Sequence, residues 1–288
     1  MQFRTEISIK PCDFMISYEY KIAMQGSCFA ENIASKLFNA GFIVNLNPFG
    51  IVYNPLSLSK NLNRLLDNKP YVESELFMDK DIYHSFAHHS SFSDNDLEKV
   101  LSRINTRLSI TLPYLKTSHL FIVTFGTAYF YSLQENGNVV SNCHKLPAKL
   151  FNYKRLTVDE IVKEWDSLIV RLRADNSSLK ILFTVSPIRH WKDGAHENQL
   201  SKSILLLAVD ELIRNHPQCY YFPSYEILLD ELRDYRFYSE DMLHPSSQAV
   251  DYIWEKFSEV FFNKDTKNKI HQFEKIQKSK NHIPIIGR

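Results

Sequence analysis

YKIAMQGSCFAENIASKL, residues 20–37, contains a strand, a tight turn and a helix in that order. Residues 20–25 are a short, mainly apolar run of the length of a strand. After Gly26 and Ser27, apolar side chains recur at helical spacing on one face: Phe29, Ile33 and Leu37. The segment therefore predicts a βα unit, with polar residues at the carboxyl end of its strand.

The alternation of strand and helix continues along the chain. The five predicted core strands begin near residues 20, 42, 119, 180 and 219. Amphipathic segments between them have helical periodicity. Strands that alternate with helices are typical of a parallel sheet covered on both faces. We therefore predict an α/β fold in three layers. Its centre is a doubly wound, mainly parallel five-stranded sheet of the flavodoxin-like order 2-1-3-4-5.

Two segments depart from this pattern and are predicted to be insertions. Residues 71–93 are irregular and rich in Ser, His and Phe, whereas residues 128–143 predict a hairpin with an Asn-Gly turn. We expect one domain over residues 1–263. Residues 264–288 hold seven Lys or Arg against two acidic residues, so we expect a basic, flexible tail there.

Composition narrows the classes of function. The chain has 288 residues and a net charge of +1, so nucleic-acid binding, which needs many cations against phosphates, is not expected. Its four cysteines form no CxxC pair and are expected to be reduced thiols. No apolar run has the length of a signal peptide or a membrane span, so we expect a cytoplasmic protein without membrane contact. The sequence indicates no oligomeric state.

Ser27 is the first candidate for chemistry. It lies where a strand gives way to a helix, at the edge of an open α/β sheet where ligands bind. A hydroxyl at a helix N-terminus could attack an ester, and nearby N–H groups could hold the oxyanion. The alternative is structural, because a serine before an amphipathic run is also the usual N-cap signal.

Asp241 and His244 form the second candidate group, in a loop before the last helix. An Asp three residues before a His can accept from the imidazole Nδ1–H, which leaves Nε2 to take a proton from a nucleophile. The alternative is a surface loop in which Asp241 or Ser246 caps the helix. Because Ser27 follows the first strand and this pair follows the last, all three are predicted to meet at one crevice as a catalytic triad.

At this point the chain resembles a known family. GSCFA at residues 26–30 is the signature that names the GSCFA family, which is related to the SGNH or GDSL-like hydrolases. The resemblance extends over residues 5–262. It includes NPFGIVYNP at 47–55, FGTAYFY at 125–131, NCHK at 142–145, SPIRHWKDG at 186–194 and HPS at 244–246. It implies an SGNH hydrolase fold and hydrolysis of an ester without a cofactor.

The resemblance also implies roles for single residues. The first SGNH block supplies the nucleophilic serine, which matches Ser27, and the last supplies the pair that matches Asp241 and His244. The second block supplies a glycine whose N–H joins the oxyanion hole, and Gly50 is the natural match.

The third SGNH block departs from the family pattern in this chain. It normally supplies an asparagine after the third strand, but here the strand ends in Phe125-Gly126-Thr127. The oxyanion would then be held by N–H groups of Ser27 and Gly50, with Gly126 or Thr127 in place of the asparagine. A missing donor can cost on the order of a hundredfold in rate.

Further residues are candidates for the wall of the same cleft: Asn54, His144, Arg189 and His190. Arg189 and His190 follow the fourth strand and could bind an anionic or polar group of the substrate. The alternative is a loop arginine that pairs with Asp193. The aromatic run at 125–131 could stack on a sugar ring, although such residues more often pack in a core.

Cys28 is a competing nucleophile, since helix N-termini lower the pKa of thiols. Neighbouring side chains point in different directions, so only one of Ser27 and Cys28 can face His244. We expect Cys28 to pack in the core. His84 and His88 have a spacing that can bind a metal, but the segment lacks an HExxH motif and we expect no metal site.

These residues together predict a serine-dependent ester hydrolase that works through an acyl-enzyme. The expected substrate is an acylated carbohydrate or another small ester. Two alternatives stay open. The same site could transfer its acyl group to a sugar or an alcohol, or the protein could be a non-catalytic carbohydrate-binding module with a decayed site, which the missing asparagine favours.

Overall fold

A computed structural model describes residues 4–281 and contains the predicted five-stranded parallel sheet. Its strands are β1 (Lys21–Gly26), β2 (Ile43–Leu46), β5 (Leu120–Phe125), β9 (Lys180–Val185) and β10 (Cys219–Tyr221). They lie in the order β2-β1-β5-β9-β10, and every neighbouring pair is parallel. In order of first appearance this is 2-1-3-4-5, so the predicted topology is confirmed.

Helices cover both faces of the sheet. They are α1 (Cys28–Asn39), α2 (Pro55–Leu66), α3 (Leu97–Lys116), α4 (Val158–Asp175), α5 (Gly194–Asn215), α6 (Ser224–Glu226), α7 (Ser247–Phe261) and α8 (Lys264–Asn281). Ile22 and Met24 of β1 pack on α1 and α7, whereas Phe121 and Val123 of β5 pack toward α2, α3, α4 and α5. The two apolar cores on opposite faces give the predicted three layers.

Two small antiparallel sheets are inserted into this core. One is the pair β3 (Leu76–Asp79) and β4 (Ile82–Ser85); the other is β6 (Tyr129–Leu133), β7 (Val139–Val140) and β8 (Phe151–Arg155). The predicted hairpin is confirmed as β6 and β7. The segment expected to be irregular contains β3 and β4, and the pairing of β8 with β6 was not predicted.

Helix α8 replaces the flexible tail that composition predicted for the end of the chain. Thr266 is buried, and its hydroxyl donates to the carbonyl oxygen of Ile16 at 3.0 Å. Ile270 packs on the apolar core beside α1 and α7. The helix is anchored at its start, and its charged side chains from Lys264 to Lys275 are exposed or half-exposed, which accommodates the basic composition. The rest of the predicted tail lies outside the described residues.

Within residues 4–281, every helix is too short or too polar to cross a membrane.

Gly26 ends β1 immediately before the candidate nucleophiles, and its φ is +150°. A Cβ there would lie 2.3 Å from the carbonyl oxygen of Thr124 on β5. We expect Gly26→Ala to lower the free energy of unfolding by roughly 3 kcal/mol or more, because β1 and β5 would have to separate. Urea denaturation followed by circular dichroism measures this.

Gly137→Ala is the matched control for Gly26→Ala. Gly137 has a φ of +74°, but no atom lies within 4 Å of the position of its Cβ. The free energy of unfolding of Gly137→Ala should therefore fall by only about 1 kcal/mol, the cost of backbone strain. Equal, small losses in the two variants would contradict the close approach of the two strands at Gly26.

Candidate active site

A cleft of about 680 Å³ opens at the carboxyl ends of the central strands. Residues that reach it come from the turn after β1, the loop before α2, the loop after β9 and the loop before α7. They include Cys28, Tyr53, Asn54, Arg189, His190 and His244. Parallel strands bring these loops to one edge of the sheet, which is where the order 2-1-3-4-5 predicts a ligand site.

Asp241 and His244 are joined as predicted. Oδ2 of Asp241 lies 2.5 Å from Nδ1 of His244, and Oδ1 accepts the backbone N–H groups of Leu243 and His244, both at 2.9 Å. These donors lower the pKa of the Asp241 carboxyl to about 2. A charged carboxylate on Nδ1 fixes the imidazole so that Nε2 is the nitrogen free to accept a proton.

Cys28, the first residue of α1, is the side chain that faces this imidazole. Its Sγ lies 3.7 Å from Nε2 of His244. Burial raises the pKa of the thiol, and the free N–H groups at the start of the helix oppose that effect only in part. Cys28 packs against the apolar core as predicted, but it is only partly buried, and its sulfur also lines the cleft beside His244.

Ser27 faces the interior of the protein. The residue is 0% exposed, and its Oγ has no hydrogen-bond partner among the described residues. It occupies the N-cap position of α1 without making a capping hydrogen bond. Its Cβ packs under Gly126, 3.3 Å from where a Cβ of that glycine would lie. The predicted contact of Ser27 with His244 is not formed, since the turn points Ser27 inward and Cys28 outward.

The backbone donors predicted for the oxyanion hole are already used. Gly50 N–H donates to the carbonyl of Asn47 at 2.8 Å. The N–H groups of Gly126 and Thr127 both donate to the carbonyl of Tyr53, at 2.7 and 3.1 Å. The predicted roles of Gly50, Gly126 and Thr127 are therefore not supported. The cause is local, because the loop before α2 folds back onto the end of β5 and takes up those donors.

The N–H of Ser27 is also committed, since it donates to the carbonyl of Thr124 at 3.2 Å. The N–H of Cys28 differs from the donors predicted for the oxyanion hole. It begins α1, so it has no acceptor within the helix and lies at the positive end of the helix dipole.

The four predicted substrate-binding residues divide into two groups. Arg189 and His190 line the cleft as predicted. Asn54 also lines it, but its side chain caps α2 by accepting from the N–H of Ser57 at 2.8 Å. His144 lies outside the cleft lining, where its Nε2 contacts the carbonyl of Ser85 at 2.9 Å. The structure therefore removes His144 from the cleft wall and gives Asn54 a structural role.

Arg189 and His190 have different surroundings within the wall. The guanidinium of Arg189 lies 4.0 Å from the centre of the Trp191 ring and donates to the carbonyl of Met242 at 3.0 Å. Burial lowers the pKa of His190 to about 3, so its imidazole is neutral at physiological pH. The alternative pairing of Arg189 with Asp193 is not formed, since Asp193 accepts from the hydroxyl of Tyr153 at 2.5 Å.

An aromatic wall of the cleft was only partly anticipated. Tyr129 and Tyr131 come from β6. Tyr153 from β8 stacks on Tyr129 and packs at a tilt against Tyr131, with ring centres 4.8 and 4.6 Å apart. The ammonium of Lys192 lies 4.1 Å from the centre of the Tyr153 ring. The alternation of Tyr129 and Tyr131 in a hairpin indicated one face, but the partner strand could not be located from the sequence.

Helix α5 supplies a second group that the sequence interpretation missed. Asn198, Ser201 and Lys202 are buried polar residues at helical spacing i, i+3 and i+4. That spacing was the available signal, because three polar residues on the buried face of an amphipathic helix indicate a polar neighbour. Among the side chains that the structure describes, no group of three or more His, Cys, Asp and Glu is arranged to hold a metal ion.

Comparisons with known proteins give a family and a set of similar folds. No curated protein matches the chain in sequence. A family 3 carbohydrate esterase from Clostridium thermocellum has 11% identity and a TM-score of 0.40, over 89% of this chain and 99% of that one. A putative acylhydrolase from Bacteroides fragilis has 9% identity and a TM-score of 0.43, over 89% and 91%.

A family two carbohydrate esterase from Clostridium thermocellum, solved in complex with cellohexaose, has 14% identity and a TM-score of 0.40, over 92% of this chain and 67% of that one. The sequence profile of the GSCFA family matches residues 21–257, which is most of the 288 residues. The chain belongs to the GSCFA family.

Proposed function

We propose that this protein is a cysteine-dependent ester hydrolase in which Cys28 is the nucleophile, His244 the general base and acid, and Asp241 the residue that orients His244. The observation that carries the proposal is the contact of Cys28 Sγ with His244 Nε2, on an imidazole whose other nitrogen is held by Asp241. Acyl-transfer triads have this arrangement: the nucleophile contacts the base, and the base contacts a carboxylate that orients it.

The reaction would proceed in two stages. His244 Nε2 takes the thiol proton as Cys28 Sγ attacks the acyl carbon, and the tetrahedral intermediate collapses to a thioester as His244 returns that proton to the leaving alcohol. Water then gives a proton to Nε2 and attacks the thioester. The acid leaves, and the proton returns to Cys28. Because burial raises the pKa of Cys28, the nucleophile rests as a thiol and depends on His244 at the moment of attack.

The N–H of Cys28 and the start of α1 would stabilise the oxyanion. The intermediate forms on the sulfur of the same residue, so its oxygen lies near that N–H and near the positive end of the helix. This replaces the donors predicted from the SGNH pattern, which the structure uses elsewhere.

An acylated carbohydrate is the substrate class that fits the cleft best. The volume of about 680 Å³ suits a small ligand, and its wall combines the tyrosines of β6 and β8 with charged groups on Lys192 and Asp193. Aromatic faces can cover the apolar faces of a sugar while polar side chains bind its hydroxyl groups. A free catalytic thiol is best preserved in a reducing compartment, so we also propose a cytoplasmic location.

An acyl-enzyme test would examine the proposal directly. The protein is incubated with p-nitrophenyl acetate, quenched in acid, and analysed by intact mass and peptide mapping. We expect one acetyl group on Cys28 that neutral hydroxylamine removes, because a thioester is labile to it. An acetyl group on Ser27 would overturn the assignment of the nucleophile. A folded protein that carries no acetyl group and releases no p-nitrophenol would overturn the hydrolase proposal.

A further inference from the structure

Asp241 and His244 lie on an exposed turn, residues 239–244, which we call the His244 turn. Their side chains are 46% and 47% exposed. Met242, between them, has a φ of +58°, a left-handed backbone conformation that costs free energy in a residue with a Cβ. Burial therefore does little to fix the imidazole of His244, and its position depends on the hydrogen bonds that the turn makes.

Hydrogen bonds within the turn give it its shape. The N–H of Met242 donates to the carbonyl of Ser239 at 2.9 Å, and the N–H of Ser239 donates to the carbonyl of His244 at 2.7 Å. The carboxylate of Asp241 accepts two further N–H groups of the same turn. These bonds are all local, so they do not determine where the turn lies relative to Cys28 on α1.

Arg189 supplies the hydrogen bonds that join the His244 turn to the rest of the protein. Its guanidinium Nη1 donates to the carbonyl of Met242 at 3.0 Å, and its backbone N–H donates to the carbonyl of Leu243 at 3.2 Å. These are the two carbonyls directly before His244. Within residues 4–281, the only other hydrogen-bonding contact between the turn and residues outside 237–246 is that of His244 with Cys28, at 3.7 Å.

Arg189 is itself held in place on the cleft side of the sheet. Its guanidinium lies 4.0 Å from the ring centre of Trp191 and 5.7 Å from that of Tyr238. The next residue, His190, donates its N–H to Oδ1 of Asn198 at 2.9 Å, and Asn198 is a buried residue of α5. The loop after β9 therefore connects the exposed turn to a helix that packs on the central sheet.

We propose that Arg189 is a positioning residue of the acyl-transfer site, which ties the His244 turn to the loop after β9 and so holds the imidazole of His244 against Cys28. The proposal rests on the proposed function only in taking Cys28 and His244 as the reacting groups. It also changes the role expected for Arg189 from the sequence. Loss of the guanidinium should displace the base, and should not act by removing a partner for an anionic substrate group.

A bifunctional reagent can measure the contact without any turnover. In α,α′-dibromoacetone, Cys28 Sγ displaces the first bromide and His244 Nε2 displaces the second, which leaves a three-carbon bridge that spans only groups in near contact. Peptide mapping gives the fraction of alkylated Cys28 that is bridged to His244. We expect this fraction to fall by roughly tenfold in Arg189→Met, because the second displacement depends on the placement of the imidazole.

Two further variants make this test specific. Arg189→Lys keeps a cationic donor but lacks the planar group that lies over Trp191, so its bridged fraction should fall between those of wild type and Arg189→Met. Arg236→Met is the matched control, since Arg236 is an exposed arginine whose contacts are with Asp234 and Phe237. It should leave the bridged fraction unchanged. A wild-type fraction in Arg189→Met would overturn the proposal, as would a wild-type fraction in Arg189→Lys if Arg189→Met did not fold.

Kinetics with p-nitrophenyl acetate separate positioning from substrate binding. This ester is neutral, so it offers no anionic group to a guanidinium. We expect Arg189→Met to lower kcat by roughly 10- to 100-fold and to keep KM within about threefold of wild type, because a displaced base slows the chemical steps. An unchanged kcat, or a loss confined to KM, would overturn the positioning role.

The outcomes for Arg189 and for the hydrolase are distinguishable. A bridge to His244 that is lost in Arg189→Met, in a protein that never gains an acetyl group, would support the positioning role and reject the hydrolase. An acetylated Cys28 whose bridge to His244 is unaffected in Arg189→Met would do the reverse.

Discussion

Replacing Cys28 by alanine is expected to lower kcat/KM for ester hydrolysis by roughly 10⁴-fold or more, whereas Ser27→Ala should stay within about tenfold of wild type. The reason is geometric. Cys28 Sγ contacts His244, while Ser27 Oγ is buried without a described partner. The measurement is release of p-nitrophenol from the acetyl ester by purified, folded variants.

Cys28→Ser is the control for this comparison. It keeps an oxygen nucleophile of similar size at the same position, but a hydroxyl is far less acidic than a thiol and depends more heavily on the base. We expect activity between that of wild type and that of Cys28→Ala. The opposite pattern, in which Ser27→Ala is inactive and Cys28→Ala retains turnover, would reject Cys28 and restore the serine mechanism that the SGNH resemblance implies.

Asp241→Asn is expected to lower kcat by about 10³-fold with a small change in KM, because it alters one contact and preserves the loop. The amide oxygen of asparagine can still accept the N–H groups that Asp241 Oδ1 binds, from Leu243 and His244. Its amide nitrogen donates to Nδ1 of His244. The ring proton then moves to Nε2, the nitrogen that must accept the thiol proton.

This loss should be nearly independent of pH in the range of an esterase assay. The pKa of Asp241 is lowered to about 2, so the wild-type carboxylate keeps its charge until the pH falls to that value. Steady-state kinetics at several pH values, with the exposed neighbour variant Glu240→Gln as control, provide the test. A wild-type rate for Asp241→Asn would contradict the orienting role of Asp241.

The sheet and its topology could be predicted because their signals are local. The runs at 120–125 and 181–185 are apolar except for one threonine each, which is what a strand buried on both faces requires. The right-handed βαβ rule leaves few orders for five such strands. The pairing of β8 with β6 has no such signal. It joins segments separated by a long loop, and its register places Tyr131 opposite Tyr153, a contact that no local pattern predicts.

The side chains that meet at the candidate site could be predicted from the sequence, but whether Ser27 or Cys28 faces His244 could not. That choice depends on the backbone of the turn after Gly26, where a change in dihedral angles exchanges the inward and outward side chains. The use of the predicted oxyanion donors in other hydrogen bonds could not be foreseen for a related reason. The N–H of Gly126 is not free because it donates to the carbonyl of Tyr53. Tyr53 belongs to the loop before α2, which is far from Gly126 in the sequence.

The burial of Ser27 decides how this protein would behave in chemical surveys of proteomes. Fluorophosphonate probes identify serine hydrolases by labelling an accessible, activated hydroxyl. They would not label Ser27, the only hydroxyl of the GSCFA motif, because it is buried against Gly126. Thiol-directed probes would reach Cys28 from the open side of the cleft. Members of this family with the same turn would therefore be labelled by thiol-directed probes rather than by serine-directed ones.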